Sequence, residues 1–252
     1  MKIVSWNVNG LRSALKNGFM DWLGEYKPDI VCIQESRVLP GELEEDVLAP
    51  KGYKTFWMPA QKKGYSGTAA FVRKSPDNVL NMGIAEFDDE GRVQILEYPD
   101  FSIVNAYYPN SQPERKRIGY KLDFCESMLK TCNKIVKSGK NVILCGDYNI
   151  AHTPIDLARP KQNEDSPGYL PEERDAMSSF IKAGYVDTFR HFCPDPGHYS
   201  WWSYRANARA NNVGWRIDYH CVNKAFLPRV KSAAILNDVM GSDHCPVSIT
   251  LT

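Results

Sequence analysis

Asn141-Val142-Ile143-Leu144-Cys145-Gly146-Asp147-Tyr148-Asn149 joins a short apolar run to a glycine, an acid and an amide. Val142 to Cys145 is apolar throughout and too short for a helix, which predicts a strand buried on both faces. Gly146 is expected to let the backbone turn tightly at the strand end. If the chain stays extended there, Asp147 and Asn149 point to the same side, because strand side chains repeat every two residues. A carboxylate and an amide so placed can hold a water between them or bind a metal. Asp and Asn are also common turn formers, so this stretch alone leaves both readings open.

The same pattern recurs outward from it. Lys2 to Val8 reads as a strand, with Ile3, Val4 and Trp6 apolar, and it ends in Asn7-Val8-Asn9-Gly10. Ile30-Val31-Cys32-Ile33 reads as another buried strand and runs into Gln34-Glu35. Val93 to Glu97 and Phe101 to Ala106 read as a hairpin leading into Tyr107-Tyr108-Pro109-Asn110. Sites in stacked α/β architectures collect at such strand ends. The set Asn7, Asn9, Glu35, Asp147 and Asn149 therefore predicts a shared site better than any member does alone.

The remaining segments are expected as follows. Leu11 to Tyr26 has helical spacing, weakened at Gly18, and Glu42 to Asp46 is an acidic, solvated helical segment. Tyr53 to Met58 and Gly67 to Val72 form a strand pair whose loop carries Lys62, Lys63 and Tyr65. Such a loop suits a phosphate contact and equally an ordinary flexible hairpin. Asp88 to Gly91 is a turn. A long helix, roughly Glu114 to Lys137, opens with Arg115, Lys116, Arg117 and Lys121. Those charges run against the helix dipole, which hints at an outside anion, although solvated lysines would look the same. Pro154 to Pro171 is a polar surface loop of a length often functional, and a helix follows to Lys182.

Tyr199-Ser200-Trp201-Trp202-Ser203-Tyr204-Arg205 packs four aromatics and an arginine into seven residues. Rings beside Arg and Asn offer a nucleic-acid strand flat surfaces and phosphate donors. Alternatively Trp201 and Trp202 are core, one on each face of a strand. Asp218 lies between Ile217 and Tyr219, where a charge needs a partner. Gly241-Ser242-Asp243-His244 precedes a final strand, Val247 to Leu251. His244 is a candidate catalytic histidine, with Asp218 the natural group to orient its imidazole.

Composition bounds the class. The 252 residues are 43% hydrophobic, which suits one large α/β or all-β domain or two small ones. No apolar run approaches the ~18 residues of a membrane span. Met1 leads straight into a strand-like segment, so neither a signal peptide nor an appended redox or targeting segment is expected. The seven cysteines are scattered and never paired as CxxC. They are expected to be reduced, in a cytoplasmic protein, nucleoid-associated if prokaryotic. No Cys/His cluster suggests structural zinc. With a formal charge of only +1, a polyanion must be met by a local cluster of Lys and Arg.

Taken together, the segments resemble the exonuclease III type of apurinic/apyrimidinic (AP) endonuclease, within the wider endonuclease/exonuclease/phosphatase fold. They are Ser5-Trp6-Asn7-Val8-Asn9-Gly10-Leu11-Arg12, Cys32-Ile33-Gln34-Glu35, Lys63-Gly64-Tyr65-Ser66-Gly67, Ala106-Tyr107-Tyr108-Pro109-Asn110, Cys145-Gly146-Asp147-Tyr148-Asn149, Asn212-Val213-Gly214-Trp215-Arg216-Ile217-Asp218-Tyr219 and Gly241-Ser242-Asp243-His244-Cys245-Pro246. They span nearly the whole chain. The resemblance implies a four-layer α/β sandwich, two packed mixed β-sheets flanked by helices. Residues 1–252 would be a single catalytic domain whose halves divide near residue 140.

The implied activity is hydrolysis of the phosphodiester 5′ to an abasic site in duplex DNA, leaving a 3′-hydroxyl. 3′–5′ exonuclease and 3′-end phosphodiesterase activities would accompany it. The implied cofactor is Mg²⁺, with Mn²⁺ expected to substitute, held by Glu35 with Asn7 and Asn9. The metal-side set extends to Asp147, Asn149, Asp243 and His244. Asp147 and Asn149 would position and activate water, and His244 with Asp218 would contact phosphate or act as base. Tyr107 and Asn110 would bind the phosphate. Trp201, Trp215 and Ile217 would form an apolar pocket for the flipped-out abasic sugar. Arg12, Tyr65 and Arg205 would contact DNA, Arg205 standing where other members place an apolar wedge. Asn9 stands where others carry Asp, one carboxylate fewer at the metal. The implied partner is double-stranded DNA with abasic sites or 3′-blocked ends, met by a monomer, with no membrane. Two other readings remain: a phosphoinositide phosphoesterase of the same fold, and a non-catalytic DNA-binding module.

Overall fold

The computed structural model describes residues 1–252. Twelve strands form two six-stranded sheets. The first holds β1 (Lys2–Asn7), β2 (Ile30–Gln34), β3 (Lys54–Met58), β4 (Thr68–Val72), β11 (Val230–Ile235) and β12 (Val247–Leu251), in the order β11-β12-β1-β2-β4-β3. The second holds β5 (Asn78–Leu80), β6 (Val93–Glu97), β7 (Phe101–Tyr107), β8 (Asn141–Asp147), β9 (Tyr185–Asp187) and β10 (Asp218–Asn223), in the order β5-β6-β7-β8-β10-β9. Seven helices accompany them: α1 (Leu11–Lys16), α2 (Phe19–Tyr26), α3 (Glu45–Leu48), α4 (Ala85–Asp88), α5 (Ile118–Lys137), α6 (Pro171–Lys182) and α7 (Thr188–Phe192).

The apolar runs explain the layering. Ile143 and Cys145 of β8 join Ile3, Cys32 and Ile103 between the sheets. The alternate residues Val142 and Leu144 face Phe124 and Met128 of α5 and Met177 of α6. On the other side Val4, Trp6 and Val31 pack on Phe19 and Leu23 of α2. Every central strand is thus buried on both faces, as its unbroken apolar run requires. Each fully buried Ile or Leu stabilises the fold by roughly 1.5–3 kcal/mol. No helix is long and apolar enough to cross a membrane.

Each sheet is mixed. β1–β2 and β7–β8 are parallel, and the other pairings are antiparallel. The parallel pairs bring strand ends to one level. Asn7 stands opposite Gln34, Tyr107 opposite Asp147, and Asp147 opposite Asp218.

Several expectations change. The chain does not divide near residue 140, because the hairpin β6–β7 belongs to the second sheet with β8, while β11 and β12 return to pair beside β1. The helix expected over Leu11 to Tyr26 is two, interrupted at Asn17-Gly18. Gly146 lies within β8, not at a turn. At φ 144 its hydrogen faces Ala106, whose carbonyl oxygen would be 1.8 Å from any Cβ there. Glycine is needed for close approach of β7. The basic residues Arg115, Lys116 and Arg117 precede α5 instead of opening it. Arg117 pairs with Glu90, and Lys121 with Glu173, so those two do not wait for an outside anion. The Tyr199–Arg205 segment is not a regular strand and pairs only through isolated bridges at Trp201. Trp201 lies half-buried, and Trp202 is buried against Tyr199, Ala208 and Cys245.

Candidate active site

Two similar Asn/Asp-x-Asn turns, one at the end of each sheet's central strand β1 or β8, build the floor. The Asn9 amide N–H donates to Asn7 Oδ1 (2.9 Å), and the Asn149 N–H donates to Asp147 Oδ1 (2.8 Å). Asn9 and Asn149 have left-handed φ of 45° and 50°, which asparagine tolerates. Asp147 and Asn149 therefore meet through a turn and not, as expected, along an extended chain. The Asn149 side-chain amide donates to Asp147 Oδ2 at 3.1 Å. Asn7, fully buried, gives its amide to Glu35 Oε1 (2.9 Å) and Asp147 Oδ2 (2.8 Å), joining a carboxylate from each sheet.

His244 closes the site from the segment before β12. Its Nδ1 is 2.8 Å from Asp218 Oδ2, and its Nε2 is 3.9 Å from Asp147 Oδ2. Burial disfavours charge on this imidazole, but Asp218 and then Asp147 outweigh it and push it up to about 10. Burial, reinforced by neighbouring Asp218, raises the Asp147 carboxyl from its ordinary range. Burial and the charges of Glu35 and Asp147 raise the Tyr107 phenol well above its usual value. Tyr107 thus keeps its proton and can donate it in a hydrogen bond.

These groups open into one cavity of about 400 Å³. Asn9, Glu35, Tyr107, Asn110, Asp147, Asn149, Asp243 and His244 line one side. Trp201, Trp215 and Ile217 make the apolar side, the two indoles meeting edge to face at 6.3 Å. Asp243 receives hydrogen bonds from Asn9 Nδ2 (2.9 Å) and Trp201 Nε1 (3.0 Å), which ties the polar side to the apolar one. The loop flagged for its length contributes Asn163, Ser166, Pro167 and Gly168. A larger cavity of about 860 Å³ adjoins at Asp243 but contains neither Glu35 nor Asp147.

Tyr65 lies in an adjacent pocket of about 210 Å³ with Glu35, Arg37, Arg92, Tyr107 and Arg117. Its hydroxyl accepts from Arg92 (2.9 Å) and Arg117 (2.8 Å). Both arginines are already paired with Glu90, and Arg92 is buried, so neither is free to meet a polyanion. Arg12 and Arg205 do not line the catalytic cavity: Arg12 pairs with Glu42, and Arg205 is exposed.

Two neighbours escaped the sequence reading. Ser200 Oγ donates to Asp218 Oδ2 (2.6 Å) and accepts from the Ile217 and Asp218 amides (3.2 Å each). Arg37 clasps Glu35 Oε2 through Nε at 3.0 Å. Nothing local marks Ser200, which sits unremarkably among aromatics. Arg37 follows Glu35 by two residues, a spacing that could have signalled it.

The Endonuclease/Exonuclease/phosphatase family matches residues 4–244, and this span runs through every strand end of the cavity. The chain belongs to that family. Within it, the chain is 45% identical to an exodeoxyribonuclease of Bacillus subtilis, covering 100% of this chain and 99% of that one. It is 41% identical to a DNA-(apurinic or apyrimidinic site) endonuclease of Dictyostelium discoideum, covering 100% of this chain and 70% of that one. Among solved structures, the AP endonuclease of Leishmania major superposes with a TM-score of 0.87 at 30% identity, covering 98% of this chain and 86% of that one. This member of the endonuclease/exonuclease/phosphatase family therefore groups with the exonuclease III type AP endonucleases. It has the packed-sheet α/β sandwich expected of them.

The donor set fits a hard cation. Glu35 and Asp147 converge on one Asn7 amide, and carboxylate and amide oxygens are what Mg²⁺ prefers. Ligand atoms of Asp147, Asp218 and His244 also lie within 4.8 Å of one another. There, however, Asp218 already engages Nδ1, so that trio suits proton and charge placement better than a metal cage.

Proposed function

We propose that this protein hydrolyses the phosphodiester 5′ to an abasic site in duplex DNA, leaving a 3′-hydroxyl, and trims 3′ ends as a 3′–5′ exonuclease and 3′-phosphodiesterase. One observation carries the reading. Glu35, Asp147 and His244, from distant parts of the chain, share a single cavity with the apolar walls Trp201, Trp215 and Ile217. A sugar without a base fits such a half-apolar recess, and its extrusion breaks no base pair.

Mg²⁺, with Mn²⁺ as a substitute, would be held by Glu35 with Asn7 and would supply Lewis-acid polarisation of the phosphate. Asp147 accepts a proton from the attacking water, which Asn149 helps to fix. His244 stays protonated beside Asp218 and offers Nε2–H to a phosphate oxygen. That choice follows from charge: an imidazole held as a cation near neutrality cannot take the water's proton. Tyr107 and Asn110 donate to the same phosphate and stabilise negative charge as it builds. Asp243 braces the site through Asn9 and Trp201. Tyr65 contacts the flanking backbone. Residues 1–252 act as one catalytic unit and as a monomer in the cytoplasm, nucleoid-associated if the source is prokaryotic.

Incision of a duplex carrying one tetrahydrofuran abasic analogue, with and without Mg²⁺, tests this. Wild type should cut 5′ to the lesion only with the metal. Asp147→Asn and His244→Asn should each lose roughly 100-fold or more in kcat. Equal rates in all three proteins would refute the assignment.

A further inference from the structure

Lys121 of α5 and Glu173 of α6 form an ion pair at 2.6 Å with both side chains fully buried. Taking two charges out of water is expensive, and apolar residues of similar volume usually pack two helices at least as well. Helix packing alone therefore does not explain the pair. Its remaining hydrogen bonds do. Lys121 Nζ also donates to the Asn149 carbonyl at 2.6 Å. Glu173 Oε2 accepts from the Gly168 and Leu170 amides at 2.7 and 2.9 Å. The Leu170 bond caps the start of α6, whereas the Asn149 carbonyl and the Gly168 amide belong to the catalytic cavity wall, so each charge reaches that wall.

That wall is tight. Ala151 N–H donates to the Gly168 carbonyl at 2.7 Å, pinning the loop to the segment after Asn149. A Cβ on Gly168 would come within 3.1 Å of the Asn149 oxygen and 3.3 Å of the Trp215 ring. Gly168 is therefore wedged between the turn that carries Asn149 and the indole that forms the apolar side.

We infer that Lys121 and Glu173 are positioning residues that set the width of the sugar recess between Asn149, Gly168 and Trp215, and with it the preference for an abasic sugar over an intact nucleotide; this rests on the nuclease reading above. Neither side chain touches substrate. With the pair intact, the recess fits an abasic sugar better than a nucleotide with its base. With one partner removed, the surviving buried charge pulls the Asn149 turn or the Gly168 loop out of place.

The test compares two activities of one protein: incision at a tetrahydrofuran site and removal of an undamaged 3′-terminal nucleotide. Wild type, Lys121→Met, Glu173→Gln and the double variant Lys121→Met/Glu173→Met are assayed where circular dichroism shows each folded. In the charge variants kcat for incision should fall roughly tenfold with KM changed less than about threefold, the cost expected of slight misplacement. The ratio of incision to 3′ removal should fall by at least about threefold. A folded variant with the wild-type ratio, or with both activities reduced equally, overturns the inference, because a purely structural role would scale both together. If the single charge variants do not fold, the double variant Lys121→Met/Glu173→Met decides, since it leaves no unpaired buried charge but removes both ties to the cavity wall. A lowered ratio there supports the inference and an unchanged one overturns it. Wild type unable to incise abasic DNA would sink the nuclease reading instead, which keeps the two failures apart.

Discussion

His244 is the residue whose chemistry depends most on its neighbours. Its imidazole is held charged by the Asp218 carboxylate 2.8 Å away, which Ser200 in turn fixes by a 2.6 Å hydrogen bond. Asp218→Asn removes the charge but keeps the shape, so the imidazole pKa should drop toward the ordinary histidine range, where burial then dominates. An NMR titration of the His244 ring in the two proteins measures this. An unchanged pKa would mean that Asp218 does not hold the charge. At this scale the sequence was informative about residue types: Asn7, Glu35, Tyr107, Asp147, Asn149, Asp218 and His244 all reach the cavity or its immediate support. It was silent on Ser200 and misleading for Lys121. A serine between aromatics carries no pattern, and the partner that buries Lys121 lies on another helix.

At the scale of elements, the close pairing of β7 and β8 decides the site. Tyr107 and Asp147 face each other because the parallel register places Ala106 against Gly146. Any Cβ at residue 146 would overlap the Ala106 carbonyl at 1.8 Å. Gly146→Ala should therefore force the strands apart and destabilise the protein by roughly 4 kcal/mol or more, read as a lowered denaturant midpoint. A wild-type midpoint would show that the pairing adjusts at no cost. The apolar runs of β1, β2, β8 and β12 were legible because each is buried on both faces. The strands β5, β9 and β11 were not. Three residues such as Asn78–Leu80 carry too little alternation to read, and β11 has four of its six residues polar or small.

At the scale of the molecule, buried charge links stability to pH. Burial opposes ionisation of Asp156, but Arg216 and Arg190, each 2.7 Å away, outweigh it and hold the carboxyl at about 2, against 3.8 ordinarily. A depressed folded-state pKa means that the unfolded chain takes up the proton first. The stabilisation is therefore complete above the ordinary value and is lost as pH falls from 3.8 to about 2. It amounts to about 2 kcal/mol. Asp156→Asn should be less stable at neutral pH and should lack that part of the acid slope, as urea titrations between pH 5 and 2 would reveal. An identical slope would remove Asp156 from the account. Mg²⁺ should act within the catalytic cavity. On the proposed binding at Glu35, it should raise Tm by mass action, and Glu35→Gln should cancel most of that rise. Equal shifts in both proteins would place the cation elsewhere.

By itself the sequence determined the strand-end chemistry, the burial of the central strands and the family to which the chain belongs. Those follow from short stretches whose residue types and spacing carry their meaning locally. Only the tertiary structure decided which strand joins which sheet, why Gly146 is a glycine, and that Lys121 and Glu173 support the cavity wall from behind. The reason is sequence distance. β12 pairs with β1 across almost the whole chain, and Lys121 meets Glu173 52 residues away. No local pattern carries such contacts, because they form only when the two sheets close on a common core.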